Sequence, residues 1–221
     1  MFVAILDNNM AKTGDFIRAC HEGRLADATS LLAESDVNGA NEHGQGALLT
    51  FHPEITRFLL ENGADPNRQM NENGASVLAG LCYVGKLDCV KLLLSKLADP
   101  NLGRRDSGET PLHHVLTCNG THDEHLQIVN ALLEAGANPN QKTKTGVISY
   151  NFMRDVRVRG ETPLHRAAAY APKDIIEALL AAGADRSVRD ENGDSPLSWG
   201  SLHMRDSDVL KLLCFNEFKI R

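Results

Sequence analysis

Apolar residues recur along most of the chain at helical spacing, in short segments that end at glycine. In the segment that begins at Pro163, Ile176 follows after 13 residues, and Leu179 and Leu180 share a helix face with it. Gly183 then supplies the left-handed residue that commonly ends a helix, before the chain turns back through a glycine-containing hairpin. The pattern predicts two short helices and a hairpin turn, repeated along the chain.

The same unit recurs in several copies. GETPLHHVL begins at Gly108, GETPLHRAA begins at Gly160, and a weaker copy, GDSPLSWGS, begins at Gly193. The second half of the unit recurs as RFLLENGADPN, KLLLSKLADPN, NALLEAGANPN and EALLAAGADRS. These motifs resemble the ankyrin repeat, with its T-P-L-H-x-A signature and a period of about 33 residues.

The resemblance covers nearly the whole chain and implies an all-α fold: an ankyrin-repeat solenoid of about six helix-turn-helix units with short β-hairpin fingers. One unit cannot bury its apolar face alone, so neighbouring units must stack. We therefore expect residues 1–221 to form a single domain. Units 1 to 6 lie near residues 13–43, 44–73, 74–107, 108–159, 160–192 and 193–221.

The TPLH motif itself has a structural interpretation. Thr162 can cap a helix whose first turn holds Pro163, where the missing N–H costs nothing. In the family that the motif resembles, its histidine ties the loop to the adjoining repeat by hydrogen bonds, as a buried polar group requires. We therefore interpret His113 and His165 as structural residues.

Unit 2 departs from the pattern. Its sequence, GQGALLTFHPEITRFLL, is about four residues short in the first helix, and Pro53 limits that helix further. We predict a stunted helix or a single turn there, and a region of low stability in the array.

Unit 4 spans 18 residues from Pro111 to Val129 rather than 13, with the extra five within TCNGTHDEH, and it carries the densest group of histidines in the chain. His122 and His125 are three residues apart and could share one helix face and hold a metal such as zinc. No second well-spaced pair completes a recognisable site, so the alternative is a solvated loop, and we predict no metal and no cofactor. The group consists of His113, His114, His122 and His125, with Cys118 and Asp123 nearby.

An insertion separates units 4 and 5. Asn67 to Gly74 and Asn101 to Gly108 each span 7 residues, but Asn140 to Gly160 spans 20, so 13 residues are inserted into the finger. Residues 141–159 hold five basic side chains and one acidic, a net charge of +4, which leaves −10 for the rest of a chain with a total of −6.

The inserted residues alternate apolar and polar, which is typical of a half-buried strand or hairpin. The expected arms lie near 147–150 and 156–159, with a turn at 151–154. An isolated hairpin is only marginally stable in water, so its apolar face either lies on the solenoid or becomes ordered against a partner. A tolerated flexible insertion is the third possibility.

Known catalytic motifs are absent: the sequence has no GxSxG, no GxxxxGK[ST] and no HExxH. We predict a non-catalytic protein–protein interaction scaffold that binds through its concave finger and first-helix surface and through the basic hairpin 141–159. In the family that the motifs resemble, the fourth residue of each first helix points toward this concave groove. Trp and Arg often dominate binding energy. The predicted partner-binding residues are Arg18, His114, Tyr150, Phe152, Met153, Arg154, Arg157, Arg166 and Trp199.

Two alternatives stay open. The chain could instead be a metal-binding or enzyme-regulating protein that uses the histidines of unit 4. Trp199, the single tryptophan, could merely cover the last interface between units.

Composition narrows the class of protein and the compartment in which we expect it. A net charge of −6 and a pI of ≈ 5.8 argue against a general nucleic-acid binder. No apolar run approaches the roughly 20 residues of a membrane span. Five scattered cysteines without a CxxC pair favour reduced thiols over a disulfide framework. We expect a cytoplasmic monomer whose protein partner carries an acidic patch.

Overall fold

The structure, a computed structural model, describes residues 2–70, 73–117, 122–149 and 157–214. Within these ranges short helices alternate with hairpin turns. The helices are α1 Phe2–His21, α2 Leu25–Leu31 (continued by a 3₁₀ turn, Leu32–Glu34), α3 Pro53–Glu61, α4 Val77–Val84, α5 Leu87–Ser95, α6 Pro111–Val115, α7 His122–Glu134, α8 Pro163–Tyr170, α9 Lys173–Ala181, α10 Pro196–Leu202 and α11 Ser207–Leu213. The strands are β1 Gln69–Met70, β2 Ala75–Ser76, β3 Thr145–Ile148 and β4 Arg157–Arg159.

The helices stack in two layers. The first helices α4, α6, α8 and α10 pack against one another in succession, and so do the second helices α3, α5, α7, α9 and α11. One continuous apolar core runs between the layers, from Phe16 in α1 to Leu213 in α11. Apart from α1 and α7, the helices have nine residues or fewer and are too short to be stable alone in water, so burial of an amphipathic face is what stabilises them. The predicted solenoid is confirmed.

Unit 2 contributes one helix rather than two. Residues 47–48 form a turn where a first helix would lie, and Pro53 opens α3 at its first position instead of interrupting an earlier helix. The buried Thr50 hydroxyl donates to the Cys20 carbonyl of α1, at 2.9 Å, which fixes this turn against unit 1. The described residues therefore form five helix pairs and one single helix, where the sequence predicted about six pairs.

The TPLH histidines link successive units, as the sequence predicted. The Nδ1 atom of His113 accepts the backbone N–H of Thr110 at 3.1 Å, and its Nε2 lies 3.4 Å from the Glu161 carbonyl of the next unit. His165 repeats the arrangement, with its Nε2 3.1 Å from the Asp194 carbonyl. The acceptor role at Nδ1 makes Nε2 the donor to the neighbouring unit.

Asparagines that follow the second helices form a second series of links. Each side chain donates to the carbonyl of the helix-ending residue one unit further on, and its oxygen accepts a backbone N–H two residues beyond. The asparagines are Asn38, Asn67, Asn101 and Asn140, and their carbonyl partners are Gly63, Leu97, Gly136 and Gly183. The backbone N–H donors are those of Asp65, Asp99, Asn138 and Asp185. Because the Asn140 link spans the insertion, the stack continues beneath it.

Both hairpins are antiparallel. In the short one, Gln69 pairs with Ser76 and Met70 with Ala75. In the inserted one, β3 at 145–148 pairs with β4 at 157–159, and the register is irregular between its paired positions. The prediction of two strand arms is confirmed in kind, and β3 begins two residues earlier than expected. The expected turn at 151–154 lies outside the described residues.

Candidate functional site

The predicted groove positions divide into one exposed and three buried side chains. The Arg18 side chain is 63% exposed and pairs with Asp15 on its own helix. His114, Arg166 and Trp199 are 2%, 0% and 1% exposed. This burial contradicts the expectation that these three side chains face a partner. Trp199 lies instead against Arg159 of the inserted finger, and Arg166 lies between Glu109 and Glu161, which accept hydrogen bonds from that finger.

Arg166 is the centre of a buried ionic cluster. Its Nη2 lies 2.6 Å from Oε1 of Glu161 and 2.8 Å from Oε1 of Glu109. Its Nε also donates to Glu161, at 3.1 Å, so the guanidinium engages one carboxylate with two donors. The three side chains come from units 4 and 5 and are almost wholly shielded from water.

Hydroxyl and amide donors satisfy the remaining oxygens of the two glutamates. Glu109 accepts from Ser107 at 2.7 Å and from Ser149 of the inserted finger at 2.8 Å. Glu161 accepts from the Thr143 hydroxyl at 2.8 Å and from the backbone N–H of Arg159 at 2.7 Å. A buried carboxylate is tolerated only when its acceptors are filled, and here the inserted finger supplies three of these donors.

The cluster shifts the pKa values of its members. Burial by itself raises the pKa of Glu109, but the charge of Arg166 and the hydrogen bonds from Ser107 and Ser149 outweigh it and lower the pKa to about 2. Against the same effect of burial, Arg166 also lowers the pKa of Glu161. Both side chains are therefore carboxylates at neutral pH.

The neighbouring histidines shift in the direction of the neutral form. Burial lowers the pKa of His113 to about 3 and that of His114 to about 4, and the positive charge of Arg166 acts in the same direction. Burial also lowers the pKa of His165. Uncharged imidazoles explain how three histidines can lie in the interior beside an arginine.

Trp199 lies against β4, the second strand of the inserted finger. Its indole N–H donates to Asp190 at 3.0 Å, and the guanidinium of Arg159 lies 4.8 Å from its ring centroid. Arg159 also lies 3.8 Å from the Asp190 carboxylate. The ring meets His165 edge-on, with centroids 5.5 Å apart. The structure thus agrees with the alternative in which Trp199 covers an interface between units.

A row of exposed cations follows the outer edge of the fingers. Lys142 donates to the Arg189 carbonyl at 2.8 Å, and Lys144 donates to the Arg105 carbonyl of the preceding finger. Arg189 donates to the Gly193 carbonyl at 2.7 Å and Arg105 to the side-chain oxygen of Gln69 at 2.7 Å. Within the described part of the chain, none of the four forms an ion pair with a carboxylate. We call Arg105, Lys142, Lys144 and Arg189 the finger edge.

The groove is open at its other end. Between α1 and the turn at 40–45, a cavity of ≈ 680 Å³ is lined by Arg18, His21, Glu42 and their neighbours. The inserted finger contacts Glu109 of unit 4, Glu161 of unit 5 and Trp199 of unit 6, whereas Arg18 in unit 1 is exposed. One groove therefore has a closed half and an open half.

Several predicted residues cannot be placed. Tyr150, Phe152, Met153 and Arg154 lie outside the described residues. The backbone of Arg157 belongs to β4, but its side chain also lies outside them. Their predicted roles stay predictions.

The histidines of unit 4 are not gathered into one site. His113 and His114 are buried in α6, whereas His122 and His125 belong to α7. Among the described residues, no group of three or more His, Cys, Asp or Glu side chains is arranged to hold a metal ion. A search of the same residues finds no helix with the length and apolarity to cross a membrane.

A family model of ankyrin repeats in three copies matches residues 47–143, and a single-repeat model matches 159–191. The chain belongs to the ankyrin repeat family. The interval between the two matches falls within the inserted finger, so the feature that departs from the family is the same one that closes the groove. Ankyrin repeats are modules of protein–protein interaction and are generally non-catalytic.

Curated relatives are longer proteins. The E3 ubiquitin-protein ligase XBAT33 of Arabidopsis thaliana is 32% identical over 80% of this chain and 36% of its own length. Human ankyrin repeat and SOCS box protein 16 is 32% identical over 66% of this chain and 28% of its own. Zebrafish (Danio rerio) neurogenic locus notch homolog protein 1 is 27% identical over 78% of this chain and 6% of its own. The chain thus spans about a third of the length of the first two relatives.

Sequence reasoning missed the two glutamates of the cluster. A signal was available, because both GETPLH copies place Glu109 and Glu161 directly before the capping threonine. Glu109 and Glu161 are buried because Arg166 pairs with both of them and the inserted finger donates hydrogen bonds to both. A periodic sequence pattern predicts neither contact.

Proposed function

We propose that the chain is a non-catalytic protein-binding scaffold whose partner presents an acidic patch to the finger edge and the adjoining inserted finger, 141–159. The observation that carries this proposal is the bonding of the four exposed cations. Their donors go to backbone carbonyls and one amide oxygen, which are neutral, so among the residues that the structure describes no carboxylate pairs with their positive charge.

The geometry favours recognition by charge. The hydrogen bonds to neighbouring fingers hold Lys142 and Lys144 in fixed positions, so less side-chain entropy is lost when an anionic partner binds. Outside residues 141–159 the chain carries a net charge of −10, which disfavours approach of an acidic partner to the rest of the molecule relative to this edge. Such complementarity raises the association rate and orients the partner.

The test uses a double charge reversal, Lys142→Glu with Lys144→Glu. The matched control is Lys91→Glu with Lys96→Glu, which makes the same change in net charge at exposed positions on α5 and at its C-terminal end. The probe is a purified decaglutamate peptide, and its association is measured at low and at physiological salt. We expect the finger-edge variant to lose about tenfold in affinity at low salt, with a smaller loss at physiological salt, where the Debye length is about 8 Å.

Two outcomes would contradict the proposal. Equal losses in both variants would show that net charge alone attracts the peptide and would overturn the finger edge as the site. No loss in either would contradict an acidic partner. Melting temperatures of both variants, compared with that of the unmodified chain, show whether a loss of binding reflects a loss of folding.

A further inference from the structure

Three successive gaps between the fingers each hold one cationic side chain of the finger edge. The guanidinium of Arg105 reaches back to the preceding finger, where its Nε donates to Oε1 of Gln69 at 2.7 Å. The ammonium of Lys144 likewise reaches back, to the carbonyl of Arg105. The ammonium of Lys142 reaches forward, to the carbonyl of Arg189 at 2.8 Å. All four cations are exposed, and they form a single row along the array that ends at Arg189, on the finger between units 5 and 6.

Backbone hydrogen bonds fix the fingers relative to one another. The same bond joins each of these fingers to the one before it, because each finger occupies the same place in its repeat. The donors are the backbone N–H groups of Arg105, Lys144 and Glu191, and the acceptors are the carbonyls of Asn73, Ser107 and Arg159, at 3.1, 2.8 and 2.7 Å. The row of cations is therefore preorganised, which lowers the entropy lost when a ligand binds along it.

The spacing of the row follows from the stacking of the repeats. The first helices α4, α6, α8 and α10 pack against one another in succession, and packed helices have axes about 8–10 Å apart. The fingers that lead into these helices, and the cations between the fingers, recur at the same interval. An extended polypeptide advances about 3.3 Å per residue, so three residues cover about 10 Å. A segment with an acidic residue at every third position thus matches one cation in each gap.

Carboxylates on the same fingers are engaged elsewhere or lie at the end of the row. Asp106 accepts from two nitrogens of Arg104, at 2.7 and 2.9 Å. Asp190 is buried and accepts from the indole of Trp199 at 3.0 Å. Glu191 is exposed on the finger at which the row ends, so an acidic segment that extends past this finger is repelled.

From this arrangement we infer that the finger edge binds an extended acidic polypeptide segment that lies along the array, with a carboxylate at about every third residue. Each carboxylate contacts the cation of one gap, and the segment crosses the fingers that join units 2 to 6. This deepens the proposed function, on which it rests: the acidic patch of the partner is a linear segment of at least about seven residues, enough to reach three gaps.

The test compares two synthetic peptides of identical composition. One repeats Glu-Ser-Ser four times, and the other has four consecutive glutamates followed by eight serines, with both ends of each peptide blocked. Each is titrated at low salt into the full chain, and amide chemical shifts report the binding. We expect the spaced peptide to bind about fivefold more tightly, because it contacts two further cations, and to shift amides in all three gaps. Equal affinities, or tighter binding of the clustered peptide, would overturn the inference.

A single substitution then removes the cation from one gap. Arg105→Gln should weaken binding of the spaced peptide by about two- to fivefold, the effect of one exposed ion pair, and should leave the clustered peptide nearly unchanged. The matched control is Lys91→Gln, which removes one charge from an exposed position on α5. If the two variants bind the spaced peptide equally well, the segment does not lie along the row. Melting temperatures show that both variants are folded.

Failure of the linear segment can be distinguished from failure of the acidic partner. If the double reversal at Lys142 and Lys144 abolishes decaglutamate binding while the two isomeric peptides bind the unmodified chain equally, the finger edge is the site but the ligand is not extended along it. If the double reversal has no effect on decaglutamate, both proposals fail. Pentathymidylate, which carries four phosphates, tests for a nucleic acid, and tighter binding of it than of the spaced peptide would contradict a polypeptide ligand.

Discussion

Arg18 and Arg166 occupy the same position of the first helix in units 1 and 5, yet their surroundings are opposite. Arg18 is largely exposed and pairs with Asp15, three residues earlier on the same helix. Arg166 is fully buried between two carboxylates and reaches the His113 carbonyl of the preceding unit at 3.4 Å. The difference comes from the surroundings of each helix. Beside Arg166 lie Glu161 of its own GET motif and Glu109 of the GET motif in the preceding unit, and the inserted finger donates hydrogen bonds to both carboxylates.

The contrast extends to the two ends of the array. Units 4 and 5 have capped first helices, histidine links and the ionic cluster, whereas unit 2 has a turn in place of its first helix. A buried polar network gains little net free energy when it forms, but removing one member is costly because the others stay buried and unsatisfied. Closing the groove over units 4 to 6 thus makes that region sensitive to single changes that the open end tolerates.

The largest expected effect is the loss of the central arginine. Arg166→Ala leaves Glu109 and Glu161 buried without a cation, and we expect unfolding to become easier by about 3–5 kcal/mol. Arg18→Ala removes only an exposed pair on one helix and should cost at most about 1 kcal/mol. Urea unfolding of both variants at pH 7 measures the difference. Similar losses in the two would show that position in the repeat matters more than the cluster does.

Acid should destabilise the protein through the same region. Burial lowers the pKa of His113 to about 3 and of His114 to about 4 in the folded protein. Below about pH 6.5 these two histidines are therefore protonated in the unfolded chain but still neutral in the folded chain. Stability is therefore fully present above pH 6.5 and falls as the pH is lowered toward 4. The expected slope is about 1.4 kcal/mol per pH unit for each histidine.

Below about pH 4.5 the glutamates add to the loss. The pKa of Glu109 is lowered to about 2, so its contribution is present above the unfolded value and is lost as the pH falls toward 2. Urea unfolding free energies measured between pH 7 and pH 4 test the sign. A stability that stays constant from pH 7 to pH 5 would contradict neutral buried histidines.

Local opening should be easiest at the other end of the array. Unit 2 lacks the helix that would cover its neighbours, and repeat units are stabilised chiefly by their neighbours. We expect the amides of residues 44–67, and unit 1 beyond them, to exchange with an opening free energy about 2 kcal/mol below that of residues 160–213. Hydrogen exchange followed by mass spectrometry measures both regions in one experiment. Equal protection along the array would contradict this difference.

How far the sequence predicted the molecule depends on the range of the interaction. The helix pairs and the Thr–Pro caps follow from local motifs, and the histidine links are what the resemblance of GETPLH to the ankyrin repeat implies. The missing helix of unit 2 was also visible, as a deficit in length. Pro53 was misread, because a proline is equally suited to open the next helix.

Burial of the groove positions could not be predicted in the same way. An arginine such as Arg166 is ordinarily exposed, and here it is buried between Glu109 and Glu161, whose other oxygens accept from the inserted finger. The alternation at 147–159 showed that one face of the insertion is apolar but not which surface would cover it. Contacts that join residues 40 or more positions apart, such as Ser149 with Glu109, are set by tertiary structure.

A last difference, between unit 3 and its neighbours, lies in the loops that close the second helices. Gly63, Gly136 and Gly183 adopt φ values of 87°, 89° and 87° there, and unit 3 places Leu97 at the same point, with φ of 62°. Its side chain is 85% exposed and contributes little to the core. The carbonyl of Leu97 still accepts from Asn67 at 3.3 Å, so the link between units is kept at the cost of a left-handed leucine.

The smallest expected effect is therefore a gain in stability. Leu97→Gly should stabilise the protein by about 0.5–1 kcal/mol, because relief of the left-handed strain exceeds the entropy that a glycine adds to the unfolded chain. The reverse change, Gly136→Leu, is the control, since a Cβ at Gly136 meets no atom within 4 Å and the expected loss arises from the backbone alone. Melting temperatures of the two variants should move in opposite directions. If Leu97→Gly lowers the melting temperature, the leucine makes a stabilising contact that outweighs its backbone strain. The loop after the second helix of unit 3 is then stabilised by a side chain, whereas its neighbours use a glycine.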